Sequence, residues 1–340
     1  MDIREIPSTQ LRGSTIGFFA PMNGGKTEGM IQELKRTTFY NFHPVAYNHK
    51  RNTREINNIV IDGKEPYPAV TVDGILQLRD DLDQKIMQLR KLYHQGEIEQ
   101  IELNTTSGNN LSKGIQNLNE IAVGIDEINL FCLTEKETQD TLRFIDWCRE
   151  NSLVLFVAGL LYDFRHRPFG HVTTLLPYID IKEEKKPACM AIRSHGKKCD
   201  STAKHTQRVW SKEFVHELGL DFLLGLQPDY NYVNKNKEQV LHQYIAAPFF
   251  DMTLRIEAER DKKIAYLPVC TDCAKLPYKE ETFRVYNQII HKEKPVLQEN
   301  QFTKPILEFL LEERWIIKEK NKLSAVVFYR NNLGSFSIRI

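Results

Sequence analysis

The chain has 340 residues, enough for two domains or one domain with large insertions, and 41% of them are hydrophobic, which supports a packed core and excludes wholesale disorder. Lys and Arg number 46 against 45 Asp and Glu, a formal net charge of +1, so the charge balance argues for neither a nucleic-acid partner nor an anionic membrane surface. No apolar run reaches the roughly 18–20 residues of a membrane span, the N-terminus has no apolar signal region, and the 6 cysteines are too few for a disulfide scaffold; the expectation is a soluble, cytoplasmic protein.

The first predicted element is an apolar strand over 15–20, TIGFFA. A glycine-bearing turn follows, and then TEGMIQELKRTTF, whose apolar spacing predicts a helix. Strand, glycine turn and helix in that order form the setting of a phosphate-binding loop. Its core reads Ala20-Pro21-Met22-Asn23-Gly24-Gly25-Lys26-Thr27. Glycines let the chain curl so that several backbone N–H groups, from Asn23 through Gly25 onward, point inward, and the helix adds its positive N-terminal end. Lys26 is placed to reach the outer phosphates of ATP and Thr27 to offer a hydroxyl to Mg²⁺. Ala20 stands where such loops carry their first glycine, a change that is tolerated while its φ stays negative.

Strands are predicted over 43–48, 57–62 and 69–72. From about 74 to 95, Ile75, Leu78, Leu82, Ile86, Leu89 and Leu92 recur at three- and four-residue steps, which predicts an amphipathic helix. Its apolar face either packs on the core, the simpler expectation, or pairs with another subunit. A polar stretch at 98–118 precedes an apolar strand, IAVGIDEINLF, that carries Asp126 and Glu127. TLRFIDWCRE reads as a helix and SLVLFVAGL, 152–160, as another strand. This alternation predicts an α/β fold with a mainly parallel sheet, like that of phosphate-loop nucleotide hydrolases. Two adjacent carboxylates at a strand end call for a cation or a proton. In phosphate-loop folds the first, here Asp126, holds the magnesium, and a second, here Glu127, can sit against the nucleophile.

Beyond about 185 the pattern breaks. Cys270 and Cys273 form a CxxC pair, and Cys189 and Cys199 lie upstream in a lysine-rich, turn-rich stretch. Two cysteine pairs on separate loops suit tetrahedral zinc, a structural ion because four thiolates leave no open position. His195, inside the upstream pair, is an alternative ligand. Cys132 and Cys148 are expected to be buried thiols. Near the C-terminus FTKPILEFLLEERWII predicts a helix, and SAVVFYRNNLGSFSIRI a hairpin turning near Asn331 to Gly334. The expected organisation is a phosphate-loop α/β domain at 1–184, with a helical insertion at about 74–118. A small zinc-binding domain at 185–280 carries an insertion at about 209–260, and an α+β extension occupies 281–340.

Two further segments complete a recognisable order: VAGLLYDFRHRPFG at 157–170 and CDSTAKHTQR at 199–208. With the Pro21-Met22 loop, Asp126-Glu127 and the CxxC, they resemble the type II thymidine kinase family, which joins a phosphate-loop domain to a zinc-binding lasso. The resemblance covers roughly 14–72, 120–208 and 262–275. It implies transfer of the ATP γ-phosphoryl group to the 5′-hydroxyl of thymidine or deoxyuridine. It makes Glu127 the general base and gives Arg54 and Arg165 the task of steadying transition-state charge. Met22, Leu130, Phe164, Phe169, Thr206 and Tyr266 would line the nucleoside pocket, and the assembly would be a homo-oligomer, a tetramer or dimer.

Several positions depart from the family pattern. Asn52-Thr53-Arg54 stands where the family has Asp-x-Arg, Leu161 stands for an aspartate, and the first CxxC is opened to Cys189 and Cys199. Two readings stay open. One is an active deoxynucleoside kinase with an altered pocket; the other is a kinase-derived nucleotide-binding module that regulates a partner or an assembly. Retained Glu127 favours catalysis, because a pure binder needs only the loop and Asp126.

Overall fold

The structure is a computed structural model that describes residues 11–40, 42–52, 57–61, 63–95, 121–191, 199–224, 229–233, 239–252, 263–291, 303–319, 322–325, 327–330 and 336–339. In chain order its elements begin with β1 (Thr15–Phe19), α1 (Lys26–Thr37), β2 (His43–His49), β3 (Asn58–Ile59), β4 (Tyr67–Pro68), β5 (Val70–Val72), α2 (Ile75–Gln95), β6 (Ile121–Ile125), α3 (Glu135–Glu150), β7 (Val154–Gly159) and β8 (Ile181–Glu184). They continue with β9 (His205–Ser211), α4 (Lys212–Glu217), β10 (Asp229–Val233), β11 (Gln239–Ala246), β12 (Ile264–Val269), α5 (Lys279–Ile290), α6 (Thr303–Glu312), β13 (Ile316–Glu319), β14 (Lys322–Ala325), β15 (Val327–Arg330) and β16 (Phe336–Arg339). The chain divides into two units, one within 1–207 and 256–274 and the other within 208–255 and 275–340.

The first unit is built on six parallel strands in the order β5-β2-β6-β7-β1-β8. Every residue of β1, β6 and β7 is buried, as the centre of a parallel sheet covered on both faces requires. Successive side chains point to opposite faces. Ile16, Phe18, Ala122, Val154 and Phe156 pack with Met30, Ile31 and Leu34 of α1. Val123, Ile125, Leu155 and Val157 pack with α2 and α3 on the other side.

The long amphipathic helix lies on this core. Ile75, Leu78, Leu82 and Ile86 are buried in it, and the hydroxyl of Tyr47 on β2 donates to Asp81 at 2.8 Å. Burial, followed by the Asp81 charge and hydrogen bond, pushes the Tyr47 phenol far above its ordinary range. The side chains of Leu89 and Leu92 lie outside the described residues, as does the 98–118 stretch.

Two predicted strands are shorter than their sequence suggested. The 57–62 segment contributes only the two-residue β3, paired with β4. The strand expected over 121–131 stops at Ile125, because Glu127 adopts a left-handed φ of 51° and Ile128–Phe131 form a 3₁₀ helix. That turn lifts Glu127 off the sheet and sets it 3.6 Å from Lys26.

In the second unit, β11 pairs antiparallel with β10 and with Val209–Ser211 of β9. Arg208 and Asp251 form a buried ion pair at 3.1 Å, and the Trp210 indole N–H donates to Asp251 at 3.0 Å. Phe249, Phe250, Val285, Ile289, Ile306, Phe309 and Leu310 form an apolar core beneath α5 and α6. The helix predicted over 302–317 ends at Glu312. Arg314 turns left-handed at φ 57°, its N–H donates to the Leu311 carbonyl, and the Trp315 N–H donates to the Leu310 carbonyl. This paired closure satisfies the last carbonyls of α6 and frees Ile316 to enter β13. The predicted terminal hairpin is present as β15 and β16; its turn lies outside the described residues. Among the described residues no helix is long and apolar enough to cross a membrane.

Candidate active site

The loop between β1 and α1 has the geometry of an anion cradle. Asn23 and Gly25 take left-handed φ values of 57° and 78°, while Ala20 does not. The Gly24 N–H donates to the Pro21 carbonyl at 3.0 Å. A Cβ on Gly24 would meet the Ala20 Cβ at 2.6 Å and the Pro21 carbonyl oxygen at 2.7 Å, so only glycine fits there. Helix α1 starts at Lys26 with no side-chain cap. Its first N–H groups are thus available to an anion.

The two acids of the β6 end meet this loop. Thr27 Oγ1 donates to Asp126 Oδ1 at 2.8 Å, and Lys26 Nζ lies 3.6 Å from Glu127 Oε1. Asp126 and Lys26 are buried, at 4% and 6% exposure. The Thr27 hydroxyl and the Asp126 carboxylate present adjacent hard oxygen donors, the chemistry that Mg²⁺ selects.

The 3₁₀ helix after Glu127 is fastened from two sides. Asn129, buried, accepts from the Leu160 N–H through its side-chain oxygen at 2.9 Å, and a Cβ on Gly159 would come within 2.7 Å of that oxygen. Arg51 donates to the Leu130 carbonyl at 3.2 Å and to Glu137 at 3.1 Å, where Glu137 also closes the capping box of α3 with Thr134. Neither Asn129 nor Arg51 was among the residues expected from sequence. The signal for Asn129 was present: it is an amide inside an apolar run.

The segment 161–169 forms a small hairpin. The Phe169 N–H donates to the Leu161 carbonyl, and the Asp163 N–H to the Arg167 carbonyl. Asp163 accepts from the Arg165 and Arg167 backbone N–H groups at 2.8 and 2.9 Å. Arg165 is buried, its guanidinium 4.5 Å from the Phe164 ring and 3.9 Å from Asp163 Oδ2. Leu130 and Phe164 are buried, and Phe169 packs half-buried on the core of the α2 and α3 side. Arg54 lies outside the described residues, and Asn52 donates to the Asn48 side chain at 3.0 Å.

The zinc-type cysteines converge. The four sulfurs of Cys189, Cys199, Cys270 and Cys273 lie within 4.8 Å of one another, with Cys199 Sγ 3.8 Å from Cys270 Sγ. Zinc–thiolate bonds of about 2.3 Å set tetrahedral sulfurs about 3.8 Å apart, so the residues fit the ion. His195 lies outside the described residues. Cys132 and Cys148 are buried thiols, as expected, although Cys132 follows the 3₁₀ helix and is not in a strand.

The cysteine-bearing segments also reach the phosphate loop. The Met22 N–H donates to Thr206 Oγ1 at 3.0 Å, and the Asn23 side chain donates to the Tyr266 carbonyl at 3.0 Å. Four predicted residues, Met22, Asn23, Thr206 and Tyr266, are thereby brought together.

The thymidine kinase family profile matches residues 75–221. The chain is 24% identical over 189 residues to the thymidine kinase of Mesoplasma florum, covering 55% of this chain and 72% of that protein. It is 24% identical over 207 residues to the thymidine kinase of Mycoplasma genitalium, covering 61% and 76%. Against the thymidine kinase of Yaba monkey tumor virus it is 21% identical over 199 residues, covering 58% and 83%. The chain is similar to the thymidine kinases at low identity. The profile takes in the acidic strand end, the 161–169 hairpin, Cys189, Cys199 and Thr206 of this thymidine kinase-like enzyme. Its phosphate loop precedes the matched segment and is recognised by its own geometry.

Proposed function

We propose that the enzyme transfers the γ-phosphoryl group of ATP to the 5′-hydroxyl of a pyrimidine deoxynucleoside such as thymidine or deoxyuridine. The observation that carries this reading is the convergence of Thr27 on Asp126 and of Lys26 on Glu127, which sets a phosphate cradle, a magnesium-type donor pair and a second carboxylate, paired with the loop lysine, side by side. The Asn23 and Gly25 N–H groups of the loop, with Lys26, hold the phosphates. Thr27 and Asp126 would hold Mg²⁺, which when bound neutralises phosphate charge.

Lys26 is paired with Glu127 in this structure, and incoming phosphate competes for the ammonium. Glu127 is then released to accept the proton of the 5′-hydroxyl and orient its oxygen. Arg54 and Arg165 steady charge on the moving group, Arg165 from within its hairpin. Met22, Leu130, Phe164, Phe169, Thr206 and Tyr266 face the nucleoside. The four cysteines hold a structural zinc that fixes the Thr206 and Tyr266 segments against the loop. Similarity to thymidine kinases also favours a cytoplasmic homo-oligomer.

The test is incubation with labelled ATP, Mg²⁺ and a panel of nucleosides. A phosphorylated pyrimidine deoxynucleoside supports the reading. ATP binding without any phosphorylated nucleoside ends it, and favours a nucleotide-binding module that regulates a partner. One observation points that way: Asn52 replaces the family's carboxylate and is tied to Asn48. Glu127→Gln is expected to lower kcat by about 10²–10⁴-fold with nucleoside binding retained. An unchanged kcat would remove Glu127 from the base role.

A further inference from the structure

A second concave surface borders the phosphate loop within the same unit. This cavity of about 510 Å³ begins on Phe19, Ala20 and Pro21 and extends along the 161–169 hairpin, the residues after β8 and the segment 202–206. Its size lies in the range of small-ligand sites. Of the residues assigned to phosphate, metal or nucleoside, only Thr206 lines it; Lys26, Asp126 and Glu127 do not.

Its chemistry is cationic and aromatic together. Lys185, Lys186 and Lys204 line it, and among the described residues none of these three ammonium groups is ion-paired. The two acids of its lining are already engaged. Asp163 holds the hairpin through two backbone N–H groups and Arg167, and Glu184 pairs with Lys182 at 2.6 Å. The Lys182 hydrogen bond and charge, with a smaller contribution from Lys186, hold the Glu184 carboxyl below its ordinary range. The cations therefore exceed the available anions.

Ring faces stand beside them. His166, at the left-handed tip of the hairpin, stacks on His205 with centroids 4.0 Å apart and planes at 26°. His205 is held in turn by Thr271 at 3.3 Å. Tyr162, also in the lining, is 51% exposed and offers its ring to the cavity. Phe19, Pro21 and Leu161 add apolar surface.

We propose that this cavity binds a phosphomonoester carried on a ring-bearing body, the class and size of a nucleoside monophosphate, at a site that touches the Ala20-Pro21 start of the phosphate loop and is distinct from its Lys26-Thr27 end. The lysines act as point charges on the phosphate dianion, and Tyr162 with the histidine stack offers flat surfaces to the ring. The inference does not depend on kinase activity.

The test uses the full-length Lys26→Ala variant, which weakens phosphate binding at the loop, and no ATP. Thymidine 5′-monophosphate is the probe, with inorganic phosphate and thymidine as its separate parts. Lysine acetylation read by mass spectrometry is expected to slow at Lys186 and Lys204 when the monophosphate is added. Calorimetry is expected to show the monophosphate binding at least about tenfold more tightly than either part, and K186E/K204E in the same background to lose this binding. Unprotected Lys186 and Lys204 at a saturating monophosphate concentration would overturn the proposal, as would unchanged binding in K186E/K204E. Inorganic phosphate binding as tightly as the monophosphate would overturn the ring requirement. If the charge-reversed variant fails to fold, the footprint on the native lysines still decides.

Discussion

Gly24 is boxed in by a side chain and by its own backbone, and the two obstacles separate in a double variant. The Ala20 Cβ and the Pro21 carbonyl oxygen would both lie under 3 Å from a Cβ at position 24, at 2.6 and 2.7 Å. Gly24→Ala is expected to lower nucleotide affinity by about tenfold or more by opening the cradle, a cost of about 1.4 kcal/mol or greater. Ala20→Gly added to it is expected to restore little, because the carbonyl stays. Full recovery of ATP affinity in the double variant, measured by calorimetry, would show that Ala20 alone sets the constraint. Asn129→Ala leaves the Leu160 N–H without its acceptor in a buried place, and is expected to cost about 1–3 kcal/mol in urea unfolding. A change within about 0.5 kcal/mol would mean that the 3₁₀ helix is held by Arg51 and packing instead. Asn129 showed in the sequence only as an amide inside an apolar run, and Arg51 not at all, because their partners, the Leu160 N–H, the Leu130 carbonyl and Glu137, are reached only through tertiary folding. Lys26, Thr27, Asp126 and Glu127 were legible because loop and strand-end chemistry fixes the residue types locally.

Among elements, the parallel strands were readable because both of their faces are buried, so their text is continuously apolar. The 57–62 run was not, since among its described residues only Asn58 and Ile59 pair. The break after Ile125 was equally hidden: the apolar run continues while the backbone turns at Glu127. The opened cysteine spacing looked irregular in sequence, yet the four thiols meet because Cys189 and Cys199 are backbone-bonded to Ser201 and Ala191. These loops position Thr206 and Tyr266 against Met22 and Asn23. Cys270→Ser, or zinc chelation, is therefore expected to release the bound metal and raise the nucleoside KM by about tenfold or more, with a smaller change in the KM for ATP. Metal analysis giving one zinc per native chain and none in the variant checks the first part. Equal loss for both substrates would show that the thiol cluster supports the whole site and not its nucleoside side.

For the molecule as a whole, buried His49 and half-buried His43 and His205 of the first unit set a direction for acid stability. His49 sits at the end of β2 against Phe131, with ring centroids 4.6 Å apart, and its Nδ1 accepts from the Arg51 N–H at 3.0 Å. Burial, then the Arg51 charge, lowers its pKa from 6.5 to about 4, against smaller opposing effects of Glu137 and Asp73. Burial lowers His43 as well, and burial with Lys204 lowers His205. In the unfolded chain each imidazole takes up its proton near its ordinary value, while the folded chain resists. Stability from this source is thus complete above pH 6.5, and for His49 it falls as the pH drops from 6.5 toward 4, below which the loss levels off. The urea midpoint of the first unit is expected to drop between pH 7 and pH 5, with zinc content held constant and verified at each pH. His49→Gln is expected to start from a lower midpoint, through its altered contact with Arg51, but to show a shallower pH slope. A flat midpoint in the native chain, or an unchanged slope in the variant, would mean that other groups compensate the cost of keeping this imidazole neutral.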